Sequence, residues 1–236
     1  MDINNSEINI CWLRRDLRLE DNNALYHSLM AGLPVLLVFI FDTKILNRLS
    51  CKKDKRVAFI HLTLAQINLD LQKHHSSLYV LNDTPQEAFE NICTNFNVKE
   101  VFTNHDYEPY AIERDLKIEQ FLNEKDIPFH TFKDQVIFEK SEVMKPGGDP
   151  YTIFPPYSKI WKQKFYEEKI KLFPSEKLLS HFFKTKPFHF PSLNEIEFEK
   201  VELHVPKLNI SGQLISITPK PAIILLLRAR ALPVFI

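Results

Sequence analysis

Glycine is scarce in this 236-residue chain, where only Gly32, Gly147, Gly148 and Gly212 occur. A phosphate cradle made of backbone needs several closely spaced glycines after a strand. None of these four stands in that pattern, so Walker-type and dinucleotide-fingerprint enzymes are disfavoured. Cysteine is sparse too: Cys11, Cys51 and Cys93 are odd in number and lack metal-ligand or redox spacing, as expected of thiols in a reducing compartment. Neither sign of charge dominates, with 30 basic and 30 acidic residues, so no global field draws in nucleic acid or anionic lipid. The apolar run Val35–Phe41 is far too short to span a bilayer, and the acidic amino terminus does not read as a secretory signal. A cytoplasmic protein without a membrane partner is the expectation.

What is present is an alternation of strand and helix. The run Ile8–Leu13 breaks into charges and then, at Asp21, into an apolar-periodic segment, the pattern of a buried strand, a loop and a helix whose first turn Asp21 is expected to cap. Val35–Phe41 is continuously apolar and β-rich, which suits a strand covered on both faces. Val57, Ile60, Leu64, Ile67 and Leu71 recur at spacings of three and four and predict one long helix from Arg56, after a polar loop from Leu46 to Lys55.

Leu78–Leu81 predicts a third strand. Thr84, Pro85 and Glu87 form a capping box with proline at the first helical position, opening a helix with Ala88, Phe89, Ile92, Cys93 and Phe96 inward. Val98–Thr103 predicts a fourth strand, Tyr110–Lys125 a helix with Ile112, Leu116 and Phe121 inward, and Ile127–Phe132 a fifth strand. The fold expected for residues 1–133 is therefore α/β, a doubly wound five-stranded parallel sheet. Residues 134–200 hold most of the prolines and one clear helical stretch, around Lys159 to Lys169, and read as a long proline-rich linker.

The charged loop after the first strand carries Trp12-x-Arg14-x-Asp16-Leu17-Arg18-x-x-Asp21-Asn22-x-Ala24-Leu25. This resembles the opening signature of the DNA photolyase and cryptochrome family, with Leu13 where phenylalanine is common. The loop after the fourth strand, Asn104-His105-Asp106-Tyr107-Glu108-Pro109-Tyr110-Ala111-x-x-Arg114-Asp115, is similar to a second family pattern. Pro150-Tyr151-x-x-Phe154-x-Pro156-Tyr157-x-x-x-Trp161 is similar to a third, for which packing of a loop onto the domain is the simpler role.

The resemblance implies a light-driven enzyme that splits pyrimidine dimers in DNA through excited reduced FAD, with an antenna chromophore held in the α/β domain. Asp106 and Glu108 match the deazaflavin-binding type, and Phe39 and Arg56 match its pocket. FMN is nearly isosteric with deazaflavin. Folate is disfavoured, because Tyr110-Ala111 stand where that type has Asn-Glu. Helix capping and loop ion pairing are the alternative roles for Asp106 and Glu108, and simple solvation for Arg56. No residue here is expected to be catalytic, and the histidines, His74-His75 included, have no metal-ligand spacing.

In the family a helical domain that binds FAD and damaged DNA follows. Residues 201–236 would begin it, yet Ile217–Ile236 contains no Gly-Thr-Ser turn and no acidic residue. A frame lost near residues 210–220, leaving an aberrant tail, is the expectation, so FAD and damaged DNA belong to a missing part and the chain is expected to be a monomer. A cryptochrome photoreceptor and a nucleotide-binding α/β module are the alternatives to a repair enzyme.

Overall fold

The computed structural model describes residues 6–168 and 171–204, so the expected aberrant tail lies outside the described residues. The elements in order are β1 Glu7–Leu13, α1 Asn23–Met30, β2 Val35–Ile40, α2 Thr43–Leu46, α3 Lys55–Gln72, β3 Tyr79–Leu81, α4 Pro85–Asn95, β4 Asn97–Asn104, α5 Pro109–Asn123, β5 Phe129–Phe132 and α6 Phe154–Glu167. The five strands form one sheet in the order β3-β2-β1-β4-β5, and every pairing is parallel. The expected α/β architecture is therefore the one observed.

Alternation along the strands builds two cores. Cys11, Leu13, Leu37 and Phe39 face α1 and α3, where Leu25, Leu29, Leu64 and Leu71 are fully buried. Ile10, Trp12, Leu36 and Val38 face α4 and α5, where Phe89, Ile92, Ile118 and Leu122 close the second core. The five-residue stripe read for α3 is buried throughout, and the capping box at Thr84 and Glu87 forms as expected.

Three local readings need correction. Asp21 does not cap α1. It sits at φ 45°, in the left-handed region, and its carboxylate accepts from the Phe173 amide, while Asn22, in extended conformation, accepts from Leu25 N. On α5 the inward face is Ala111, Ile118 and Leu122, whereas Ile112 and Leu116 are 49% and 60% exposed. A short helix, α2, follows Asp42, whose carboxylate accepts from Lys44 N, and the helix expected near Lys159 begins at Phe154.

Residues beyond β5 take part in both cores. Phe182, Ile196 and Phe198 are buried on the α1–α3 side and Phe183 on the other. Phe183 N donates to Val35 O at 2.8 Å beside a parallel bridge between Val35 and Phe182.

Candidate functional site

Strand β1 lies between β2 and β4, so the chain turns to opposite sides of β1 in its first and second halves. The crevice at the carboxyl ends of β1 and β4 is the switch point at which open parallel sheets place ligands. Two charged loops meet there, residues 14–22 after β1 and 105–108 after β4.

A buried polar cluster locks these loops to α1. Asp16 accepts from Arg14 N at 2.8 Å and from Asn104 Nδ2 at 2.6 Å, and Asn104 Nδ2 also reaches Asn22 Oδ1 at 2.9 Å. The Asn104 carbonyl oxygen of the same side chain accepts from Ala24 N at 2.9 Å, in the first turn of α1. Asp16, Asn22 and Asn104 are all buried, so each polar atom needs the others as partners.

Around this cluster the charges pair across the two loops. Arg14 Nη1 lies 2.6 Å from both carboxylate oxygens of Asp115, and its other terminal nitrogen donates to the Asn104 backbone carbonyl. Arg114 Nε donates to Asp115 at 3.0 Å. Both guanidinium carbons lie 4.9 Å from the centre of the Trp12 ring, a cation–π arrangement over a buried indole. Burial, together with the neighbouring Arg14 charge, lowers the Arg114 pKa against the opposing pull of Asp115 and Asp106.

Of the expected pigment residues, only Asp106 and Glu108 share a partner. Asp106 and Glu108 converge on Arg15, whose Nε is 3.4 Å from Asp106 and whose Nη2 is 2.7 Å from Glu108; the Glu108 side chain is 56% exposed. Phe39 is packed in the α1–α3 core with its ring edge-on to Phe41 at 4.9 Å. Arg56, at the start of α3, pairs with Asp54 at 2.6 Å. Arg15 has no role expected from the sequence, although it stands between the motif residues Arg14 and Asp16 just past the end of β1.

A second cluster borders the crevice. Glu139 accepts from the Tyr107 hydroxyl at 2.5 Å and pairs with His105 Nδ1 at 2.8 Å, tying the β4–α5 loop to the segment after β5. Burial first, then the Glu139 hydrogen bond, pushes the Tyr107 phenol far above its ordinary value. Among the described residues no group of three or more His, Cys, Asp or Glu is placed to hold a metal ion.

The chain is similar in sequence and in fold to known proteins. The chain is 31% identical over 166 residues to a deoxyribodipyrimidine photo-lyase of Alkalihalophilus pseudofirmus, covering 68% of this chain and 34% of the relative. It is 27% identical over 172 residues to cryptochrome-1 of Arabidopsis thaliana, covering 72% of this chain and 25% of that protein. The chain thus spans about a third and a quarter of the length of these two relatives. Among solved structures, a bacterial class III photolyase from Agrobacterium tumefaciens shares the fold at TM-score 0.67 and 20% identity, covering 84% of this chain and 39% of that one. An archaeal photolyase from Sulfolobus tokodaii, described with two FAD molecules, does so at 0.55 and 22%, covering 74% and 41%. The model of the DNA photolyase family matches residues 9–176, well over half of the sequence, and this chain belongs to that family.

Proposed function

We propose that this chain is the pigment-holding front part of a deoxyribodipyrimidine photo-lyase, the carbon–carbon lyase that repairs pyrimidine dimers in DNA with light. The observation that carries the reading is the convergence of Asp106 and Glu108 on Arg15 at the β1–β4 crevice. Two carboxylates beside a guanidinium offer acceptors for ring N–H or hydroxyl donors and donors for ring carbonyls. Tyr110-Ala111, standing where the folate-binding type has Asn-Glu, favours a deazaflavin or FMN over a folate. Asp106, Glu108, Phe39 and Arg56 are the residues assigned to the antenna chromophore, which when bound supplies absorption of near-ultraviolet or blue light.

In this proposal FAD and damaged DNA are engaged by a helical domain that the described residues do not include, and the chain works as a cytoplasmic monomer. No helix among the described residues is long and apolar enough to cross a membrane. A cryptochrome photoreceptor on the same framework is the second reading, favoured by the match to cryptochrome-1.

The test is an absorbance spectrum of the full chain after mixing with deazaflavin, FMN or folate and gel filtration. Retention of deazaflavin or FMN, lost in the double variant Asp106→Asn, Glu108→Gln, is the expected result. Retention of folate alone, or of no pigment, would overturn the assignment. Joining the chain to a family helical domain and assaying dimer-containing DNA under light separates repair from signalling.

A further inference from the structure

On the α4–α5 side of the sheet lies a cleft of about 550 Å³, bounded by α2, the first turn of α4 and the length of α5. None of Phe39, Arg56, Asp106 or Glu108 lines it. Its volume falls within the range of about 300–1,000 Å³ that small-molecule sites occupy.

The cleft is cationic in an uneven way. Lys117 is paired with Glu113 at 2.5 Å, whereas Lys44 and Arg48, both exposed, form no ion pair among the described residues. Arg114, with 9% of its side chain exposed, bonds Asp115 through Nε, and its buried Nη2 has no hydrogen-bond partner although it lies 3.0 Å from the same carboxylate and 3.9 Å from Asp106. Glu124 at the far end is the other acid of the lining.

The cations gather around one aromatic wall. The Tyr110 hydroxyl donates to Asp42 at 2.6 Å, which fixes the ring, and the Arg48 guanidinium lies 5.7 Å from its centre. Arg48 and Arg114 both act on that phenol: burial first, then Asp42, raises its pKa, and the two arginines oppose the rise. Ile118 and Phe121 continue the wall along α5.

We propose that this cleft binds a phosphomonoester of a flat aromatic body, its dianion held by Lys44, Arg48 and Arg114 and its ring laid against Tyr110 and Phe121. A dianion with three acceptor oxygens matches several converging donors better than a lone carboxylate does, and guanidinium groups bind phosphate in pairs of hydrogen bonds. No residue assigned to the pigment lines this cleft, although Arg114 stands 3.9 Å from Asp106 on its inner side.

Trp12 supplies a reporter, because the Arg114 guanidinium carbon is 4.9 Å from its ring and Trp161 is the other tryptophan of the chain. The full chain carrying Trp161→Phe would be titrated with phenyl phosphate, with inorganic phosphate and with duplex DNA while Trp12 emission is followed. Saturable binding of phenyl phosphate, tighter than that of inorganic phosphate, is expected. Adding Lys44→Ala and Arg48→Ala should weaken it by about tenfold or more, with the circular dichroism spectrum unchanged. Arg56→Ala, at a residue assigned to the pigment that pairs with Asp54 and does not line the cleft, should leave it intact, which keeps this inference independent of the pigment reading. No response to phenyl phosphate, an affinity unmoved by the Lys44 and Arg48 substitutions, or a response to duplex DNA alone would overturn it.

Discussion

Arg14 and Asp115 stand 101 residues apart in sequence and meet with Nη1 2.6 Å from both carboxylate oxygens. The pair joins the loop after β1 to α5, and its side chains are 7% and 17% exposed. Burial on that scale makes the two halves of the pair unequal to their sum, since a lone charge left behind is costly.

Asp115→Ala should therefore destabilise the chain by about 3–5 kcal/mol, because Arg14 and Arg114 would both lose their shared carboxylate. Urea unfolding followed by far-ultraviolet circular dichroism measures this. Replacing Arg14 and Asp115 together by Met and Leu should cost clearly less than Asp115→Ala alone. Equal losses would mean that charge isolation is not what the pair prevents.

Asn104 links β4, the β1–α1 loop and α1 at once. Asn104→Ala should cost about 1.5–3 kcal/mol, the range for losing a hydrogen bond to a charged partner. Asn104→Asp should cost more at pH 7, where it sets a second carboxylate against Asp16, and should recover at low pH. Thermal midpoints of both variants across pH decide the point, and a pH-independent gap between them would count against it.

Glu139 sits below its usual value of 4.5: burial raises it, but the hydrogen bonds from Tyr107 and His105 outweigh that. A carboxylate with a depressed folded pKa contributes stability that is fully present above the unfolded pKa and lost as pH falls through the folded one. The stability gap between the native chain and Glu139→Gln should hold from pH 7 to about pH 5 and close below 4.5. Asp134 has the opposite sign, being raised mainly by burial against the pull of Arg18, so its share of stability declines as pH rises through the window above 3.8. Urea midpoints taken at intervals from pH 7 to pH 3 trace the Glu139 curve.

Asn9 is fully buried on β1, and neither its amide nitrogen nor its side-chain oxygen has a hydrogen-bond partner. Asn9→Val should raise stability by about 1–3 kcal/mol, the cost of keeping an unsatisfied polar group from water. A lower unfolding midpoint for this variant would show that the amide has a partner in solution.

The sequence made α3 legible because its five apolar residues admit one helical face, and all five are buried. On α5 two stripes compete. Ile112 and Leu116 are spaced as regularly as Ala111, Ile118 and Leu122, and only the neighbouring α4 and β5 decide which turns inward. Asp21 misled for a related reason: its acidic side chain suits a cap, but the chain needs a left-handed turn there and the cap passes to Asn22. At the crevice, Asp106 and Glu108 stood out as acids crowding the end of a strand. Their partner Arg15 did not, because the pairing depends on β4 lying beside β1, a neighbourhood set by crossover topology rather than by spacing along the chain.

The Val35–Phe182 bridge carries a practical lesson for anyone cutting this polypeptide. A fragment stopped after β5 would strip Phe182, Phe183, Ile196 and Phe198 from the two flanks of the sheet and bare greasy surface to water. The shortest recombinant piece that stays sealed runs to Phe198, and one trimmed at the last strand should clump rather than fold.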